Sequence, residues 1–177
     1  TFMGKHIVPP KQRSKVFWRY NAAIKQMLYS AFDITKENIP YYVESLNKFQ
    51  PQAIDGFVSS IYEIATYMDI HKIKPTFKPV AIFPTSETVT AEHREVIERV
   101  FGAKVRDQYA SSEGAPFVWE CECGKLHYDV TTGIIESIEE TNEILVTSFT
   151  SYGTPLIRYK IGDKMVFEDS SITCECG

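Results

Sequence analysis

The spacing of apolar residues divides this chain into three regimes. From Ala22 the apolar positions Ala23, Ile24, Met27, Leu28, Ala31 and Phe32 recur at helical intervals, which predicts a first helix. Thr35 opens a second, with Ile39, Tyr42, Val43, Leu46 and Phe49 on one side and Pro51 as its stop. A third is predicted from Ser59 to Met68, capped by Ser59 or Ser60 and turning Ile61, Ile64, Ala65 and Met68 inward. Before these helices, residues 1–19 hold Pro9-Pro10 and a basic stretch without periodicity, then Phe17, Trp18 and Tyr20, so an irregular start is expected.

The second regime begins at Val80-Ala81-Ile82-Phe83, an unbroken apolar run that suits a buried strand of a parallel sheet. Thr90 can cap a helix carrying Val96, Ile97, Val100 and Phe101, Gly102 can end it, and Lys104 to Gln108 reads as the next strand. Strand, helix and strand in this span form a βαβ unit, and ligands of such sheets bind at the carboxyl ends of strands. Beyond Gly114 short alternating segments at Pro116–Glu120, Leu126–Val130, Gly133–Ile138, Glu143–Phe149, Leu156–Ile161 and Met165–Glu168 predict an antiparallel region. The expected class is α/β, with residues 1–115 as the α/β part and 116–177 as a β-rich part of the same domain.

With 177 residues, 44% hydrophobic and 13% aromatic, the chain can bury a core. Its net charge of -4 and the lack of a Lys/Arg run exclude the electrostatic footprint of a nucleic-acid binder. Its apolar runs are too short for the ~20 residues that span a bilayer, so no membrane role is expected.

All four cysteines fall in two Cys-x-Cys-Gly units, Cys121-Glu122-Cys123-Gly124 and Cys174-Glu175-Cys176-Gly177, and His127 follows the first. Five soft ligands thus compete for the roughly four places around a zinc ion. The rival reading is two disulfides, which would need an oxidising compartment. No secretory segment precedes the cysteines, and a cytoplasmic protein is expected. A chain ending in the glycine of a ligand loop reads as a fragment of a longer one.

Two strings offer the groups a nucleotide needs. Tyr109-Ala110-Ser111-Ser112-Glu113-Gly114 supplies an aromatic face, hydroxyls and a carboxylate, and Thr154-Pro155-Leu156-Ile157-Arg158-Tyr159-Lys160-Ile161-Gly162-Asp163 ends in an Asp beside a Gly turn. Each alone is also ordinary turn sequence.

Taken in order with Phe17-Trp18-Arg19-Tyr20-Asn21, Asn47-Lys48-Phe49-Gln50-Pro51-Gln52-Ala53-Ile54-Asp55-Gly56 and Ser86-Glu87-Thr88, these strings resemble the phenylacetate–CoA ligase-like adenylate-forming enzymes, and within them the capsular polysaccharide biosynthesis (CapK-like) branch. The resemblance covers nearly the whole chain and implies part of the large N-terminal domain of such an enzyme. It implies ATP- and Mg²⁺-dependent activation of a small carboxylic acid and transfer of the acyl group to CoA or another acceptor. By position, Tyr109 would stack near the adenine, Ser112 would touch the α-phosphate, Glu113 would hold Mg²⁺ and Asp163 would bind the ribose. Gly102 and Ala103 would pass the purine, while Ser86 and Glu87 would border the acyl pocket or simply lead into the helix at Thr90. A structural zinc would fall on Cys121, His127, Cys174 and Cys176, leaving Cys123 spare. The family's Tyr-Gly is Tyr109-Ala110 here, and its Tyr-Pro-Ser after Gly56 is Phe57-Val58-Ser59. The phosphate loop upstream and the lysine-bearing mobile domain downstream are missing parts of the expected longer chain, so catalysis is expected only of the longer protein; a homodimer is compatible with the resemblance. The alternatives are a zinc-stapled scaffold that keeps the ligase fold without its chemistry, and a zinc hydrolase built on Glu113, His127 and the cysteines, which the closed Cys-rich donor set disfavours.

Overall fold

The computed structural model describes residues 1–9, 11, 14–168 and 173–176. Pro10 of the expected irregular start and Gly177 of the second Cys-x-Cys-Gly unit lie outside them. The chain forms two compact units, Thr1–Arg106 and Asp107–Gly177.

The first unit is built on a six-stranded sheet ordered β2-β3-β1-β4-β5-β6. Its strands are β1 (Phe2–Met3), β2 (Trp18–Asn21), β3 (Gln26–Ser30), β4 (Ala53–Phe57), β5 (Ala81–Thr85) and β6 (Lys104–Val105). The β2–β3 pair is antiparallel and the rest are parallel. Helices α1 (Ile39–Phe49), α2 (Val58–Ile70) and α3 (Ala91–Phe101) complete it. They bury Tyr42, Leu46, Ile61, Ile64, Met68, Ile97 and Phe101 with the strand residues Phe2, Tyr29, Ile54, Ile82 and Val105. Pro84 is tolerated inside β5 because β6 pairs only with Ala81 and Ile82, so the missing N–H falls past the end of that neighbour.

The helix expected from Ala22 is instead the β2–β3 hairpin, with Trp18 opposite Tyr29 and Tyr20 opposite Met27. Asn21 turns the chain by accepting a hydrogen bond from the Ala23 N–H at 3.2 Å, and Lys25 adopts a left-handed φ of 52°. Ile24, which the helical count placed inside, is 64% exposed in that turn. Over so short a window a helical and a two-residue period share Met27 and its neighbours, and aromatic packing decided between them. Phe17 stacks on Tyr42 at 5.5 Å and Trp18 tilts against Tyr29 at 5.8 Å, pairs worth about 0.5–1.5 kcal/mol each beyond their buried area.

The other three predicted helices are present. At α1 the Thr35 carbonyl accepts from the N–H groups of Asn38 and Ile39, and left-handed Gln50 ends the helix before Pro51. Thr90 caps α3 by accepting from His93 N–H, and Gly102 terminates it at φ 65°. The cap of α2 is not a local serine, as described below.

The second unit holds two three-stranded antiparallel sheets. One contains β7 (Gln108–Tyr109), β8 (Val118–Glu120) and β9 (Leu126–Tyr128); the other contains β10 (Gly133–Ser137), β11 (Glu143–Ser148) and β12 (Tyr159–Lys164). Val118, Ile135, Ile144 and Val146 form their shared core, with Tyr109, Ala115, Tyr128 and Ile161 packed against it. The strand expected from Lys104 to Gln108 is therefore two elements in different sheets. Asp107 marks the break: its side chain accepts from Gln108 N–H and its carbonyl from Glu120 N–H, so the ladder to β8 replaces the one to β5. Of the two last predicted segments, Leu156–Ile161 overlaps β12, which pairs with β11, whereas Met165–Glu168 forms no strand.

Candidate nucleotide and metal sites

Tyr109 sits on β7, half-buried against the core of the second unit. Asp163 lies in an irregular stretch of β12, where Lys160 opposes Leu145 and Lys164 opposes Glu143, so that Ile161, Gly162 and Asp163 together face Ile144. Such a bulge re-aims side chains, and Gly162 at φ 94° permits it. The result is a direct bond: the Tyr109 hydroxyl donates to Asp163 Oδ2 at 2.7 Å across 54 residues of sequence. Burial, that hydrogen bond, and the charges of Asp163 and Glu113 push the Tyr109 hydroxyl well above its usual range, so it remains a donor at physiological pH.

Ser112 and Glu113 occupy the turn that follows, Ser112 exposed and Glu113 half-buried. The turn is closed by Gly114 N–H to the Ser111 carbonyl at 3.3 Å and Ala115 N–H to Ser111 Oγ at 3.3 Å. Gly114 adopts φ 75°, and a Cβ there would come within 2.6 Å of Ser151 Oγ and 3.2 Å of Ser148 Oγ. These two serines, themselves hydrogen-bonded at 3.2 Å, back the turn and were not marked by the sequence, because they lie on a different strand end.

The candidate metal ligands converge. The ligand atoms of Cys121, His127, Cys174 and Cys176 all lie within 4.8 Å of one another. Cys121 Sγ is 3.7 Å from Cys174 Sγ, and Cys176 Sγ is 3.4 Å from His127 Nε2. Two thiolates at ~2.3 Å from a tetrahedral zinc stand about 3.8 Å apart, and a thiolate and an imidazole about 3.5 Å, so these two pairs are spaced as ligands of that ion would be. The same 3.7 Å is far too long for the roughly 2.05 Å of a disulfide, and all four cysteines are free. The two-disulfide reading is overturned. Cys123 is exposed and outside the group, and half-buried Glu113 is outside it too.

The hairpin loop between β8 and β9 sets the position of Cys121. Cys121 N–H donates to the Lys125 carbonyl at 2.8 Å and Gly124 N–H to the Cys121 carbonyl at 3.1 Å, curling the loop around the Cys121 sulfur. Burial opposes ionisation of Cys121, but backbone N–H groups of Lys125 and Cys123, then His127 and Cys174, outweigh it and bring the thiol down to about 6. The shift favours the thiolate, the form a metal takes.

Ser86, Glu87, Gly102 and Ala103 belong to the first unit. Ser86 has a left-handed φ of 64° just past β5. The Glu87 carboxylate accepts from Ser59 N–H at 2.7 Å and from Ser59 Oγ at 2.9 Å. That is an N-cap for α2 supplied from 28 residues away, where Phe57 at the cap position makes no side-chain bond. We expect Glu87→Ala to destabilise the chain by about 1 kcal/mol and to lower its unfolding midpoint by a few degrees, measured by circular dichroism. An unchanged midpoint would return Glu87 to the acyl-pocket reading. Gly102 is the α3 C-cap, and Ala103 is buried in the core.

Other polar contacts in the first unit escaped the sequence. His93 completes a capping box and packs at a tilt against Tyr62, the ring centroids 4.7 Å apart. Buried Asp33 accepts from Ser30 Oγ at 2.6 Å and lies 3.1 Å from His6 Nδ1, tying the start of the chain to the end of β3. An open cleft of about 680 Å³ lined by Trp18, Tyr20, Tyr41 and Phe49 contains none of the predicted site residues. No helix among the described residues is long and apolar enough to cross a membrane.

The chain matches no protein-family model. It is 47% identical over 169 residues to Protein CapK of Staphylococcus aureus, a match covering 94% of this chain and 38% of that protein. Among solved structures it resembles an open conformation of 2-hydroxyisobutyryl-CoA ligase in complex with 2-HIB-AMP and CoA, with a TM-score of 0.60 and 21% identity over 71% of this chain and 31% of that one. The same ligase in its postadenylation state with 2-HIB-AMP gives a TM-score of 0.59 and 20% identity over 74% of this chain and 31% of that one. Likeness at such identity establishes the fold, which is mixed α/β and shared with an adenylate-forming ligase. The CapK match gives the lineage: this chain belongs to the CapK-like proteins and spans 38% of the length of its curated relative.

Proposed function

We propose that this chain is part of an ATP-dependent ligase that activates a small carboxylic acid as its acyl-adenylate and passes the acyl group to CoA or another acceptor. The observation that carries the reading is the Tyr109–Asp163 bond of 2.7 Å, which unites the aromatic string and the Gly-Asp string in a chain with the fold of a CoA ligase. The aromatic ring offers a stacking face to adenine, and Asp163 offers acceptors to the ribose diol. Ser112 is exposed in the adjoining turn and can donate to an α-phosphate oxygen, with Glu113 beside it as the holder of Mg²⁺. In-line displacement at phosphorus depends mainly on positioning and charge neutralisation, which these groups supply without covalent chemistry. Gly102, Ala103 and Ser86 are assigned to the purine and acyl sides on the resemblance.

Zinc, held by Cys121, His127, Cys174 and Cys176, is assigned a structural role, because three thiolates and an imidazole leave no open coordination position. The reading carries a cytoplasmic location with it, because reduced thiols and a need for ATP and CoA would suit that compartment.

The test is pyrophosphate exchange by the full-length protein with phenylacetate, other aryl acids, short acyl chains and amino acids, with and without CoA. Acid-dependent exchange is expected with at least one class. A folded, zinc-loaded protein inert toward all of them would move the assignment to a scaffold. The 177-residue chain alone is expected to be inactive, because a nucleotide would find only ring, ribose and metal contacts on it.

A further inference from the structure

The Tyr109–Asp163 bond does more than bring two motifs together. Tyr109 is fixed at its ring, which packs against the core of Val118, Ile135, Ile144 and Val146. Asp163 is exposed on a bulged strand whose local backbone includes a glycine at φ 94°, a setting that by itself leaves a short carboxylate side chain free to rotate. The hydroxyl donates to Oδ2 alone, and an ionised carboxylate has about four lone-pair sites, so Oδ1 remains able to accept from further hydroxyls.

We propose that the Tyr109 hydroxyl is a positioning group that holds the Asp163 carboxylate at a set distance from the Tyr109 ring, so that recognition of a ribonucleotide's base and of its 2′,3′-diol is carried by one rigid pair. This rests on the nucleotide reading above. Its consequence is sugar specificity. A carboxylate pinned on one oxygen meets a cis-diol without first losing rotational freedom, and a nucleotide lacking the diol leaves that preorganised acceptor unpaired.

The experiment measures dissociation constants of the full-length protein for ATP and for 2′,3′-dideoxy-ATP with Mg²⁺ present. Wild type is expected to prefer ATP by about tenfold or more. Tyr109→Phe keeps the ring and loses the hydroxyl, so the preference should fall to about twofold, chiefly through weaker ATP binding. Asp163→Glu keeps the charge but carries it past the hydroxyl, and should lose the same preference. A merely structural Tyr109 would weaken both nucleotides equally and keep the ratio, which overturns the proposal. Retention of the ratio in Asp163→Glu overturns it independently, should Tyr109→Phe not fold. A wild type that binds both nucleotides equally, or neither, sinks the nucleotide reading itself and this proposal with it.

Discussion

Cys121→Ser in the full-length protein is expected to lower the zinc content from about one ion per chain to a small fraction of that and to reduce the unfolding midpoint by about 10 °C. The cause is the convergence of four donor atoms within 4.8 Å, drawn from a β-hairpin loop, strand β9 and the segment bearing Cys174 and Cys176. Metal affinity for such sets is of the order of 10–16 kcal/mol at neutral pH and appears as folding free energy, so losing one ligand removes a large part of it. Because about 1 kcal/mol corresponds to a few degrees for a chain of this size, even a loss of about 3–5 kcal/mol is easily measured. Cys123→Ser is expected to leave both readings within error, since its thiol is exposed and outside the group. Elemental analysis and thermal melts decide the matter. A protein that is metal-free and fully folded, or equally sensitive at Cys121 and Cys123, would remove zinc from the account.

The same pair of cysteines shows what could and could not be seen before coordinates. Cys-x-Cys-Gly repeated beside a histidine announces soft ligands by composition alone, and the family resemblance selected the four that converge. Composition could not say that Cys121 rather than Cys123 joins the group, because that depends on a hairpin loop whose N–H groups point at the Cys121 sulfur. Helices α1, α2 and α3 were legible because their apolar stripes run for three turns or so and their ends carry Thr35, Pro51, Thr90 and Gly102. The β2–β3 hairpin was not, since its alternation is short and its turn rests on Asn21 and a left-handed Lys25, neither a Gly nor a Pro. Glu87 illustrates a different limit. Its hydrogen bonds to Ser59 span 28 residues, and no local rule predicts that one helix will be capped from the loop before another. The Tyr109–Asp163 bond is of that kind too: both residues were marked, but their direct contact depends on the bulge that turns Asp163.

Glu113→Gln is expected to slow acid-dependent pyrophosphate exchange by the full-length protein by about 10²-fold or more while changing the ATP KM much less. The substitution keeps the shape of a half-buried side chain in the turn closed by Ser111 and Gly114, so the fold should be indifferent to it. What it removes is a negative charge near enough to Tyr109 to raise that hydroxyl's affinity for its proton. If that charge holds the cation that neutralises the transferring phosphate, the loss falls on the transition state, where charge is redistributed, rather than on the ground-state complex. Asp163→Asn provides the contrast. On the proposed reading it acts on the ribose, which does not change during the reaction, and should raise the ATP KM with a smaller effect on kcat. Parallel kinetics of the two variants separate the roles. Equal effects on KM from both would mean that Glu113 belongs to nucleotide binding alone, and activity indifferent to both would place the nucleotide elsewhere on the protein.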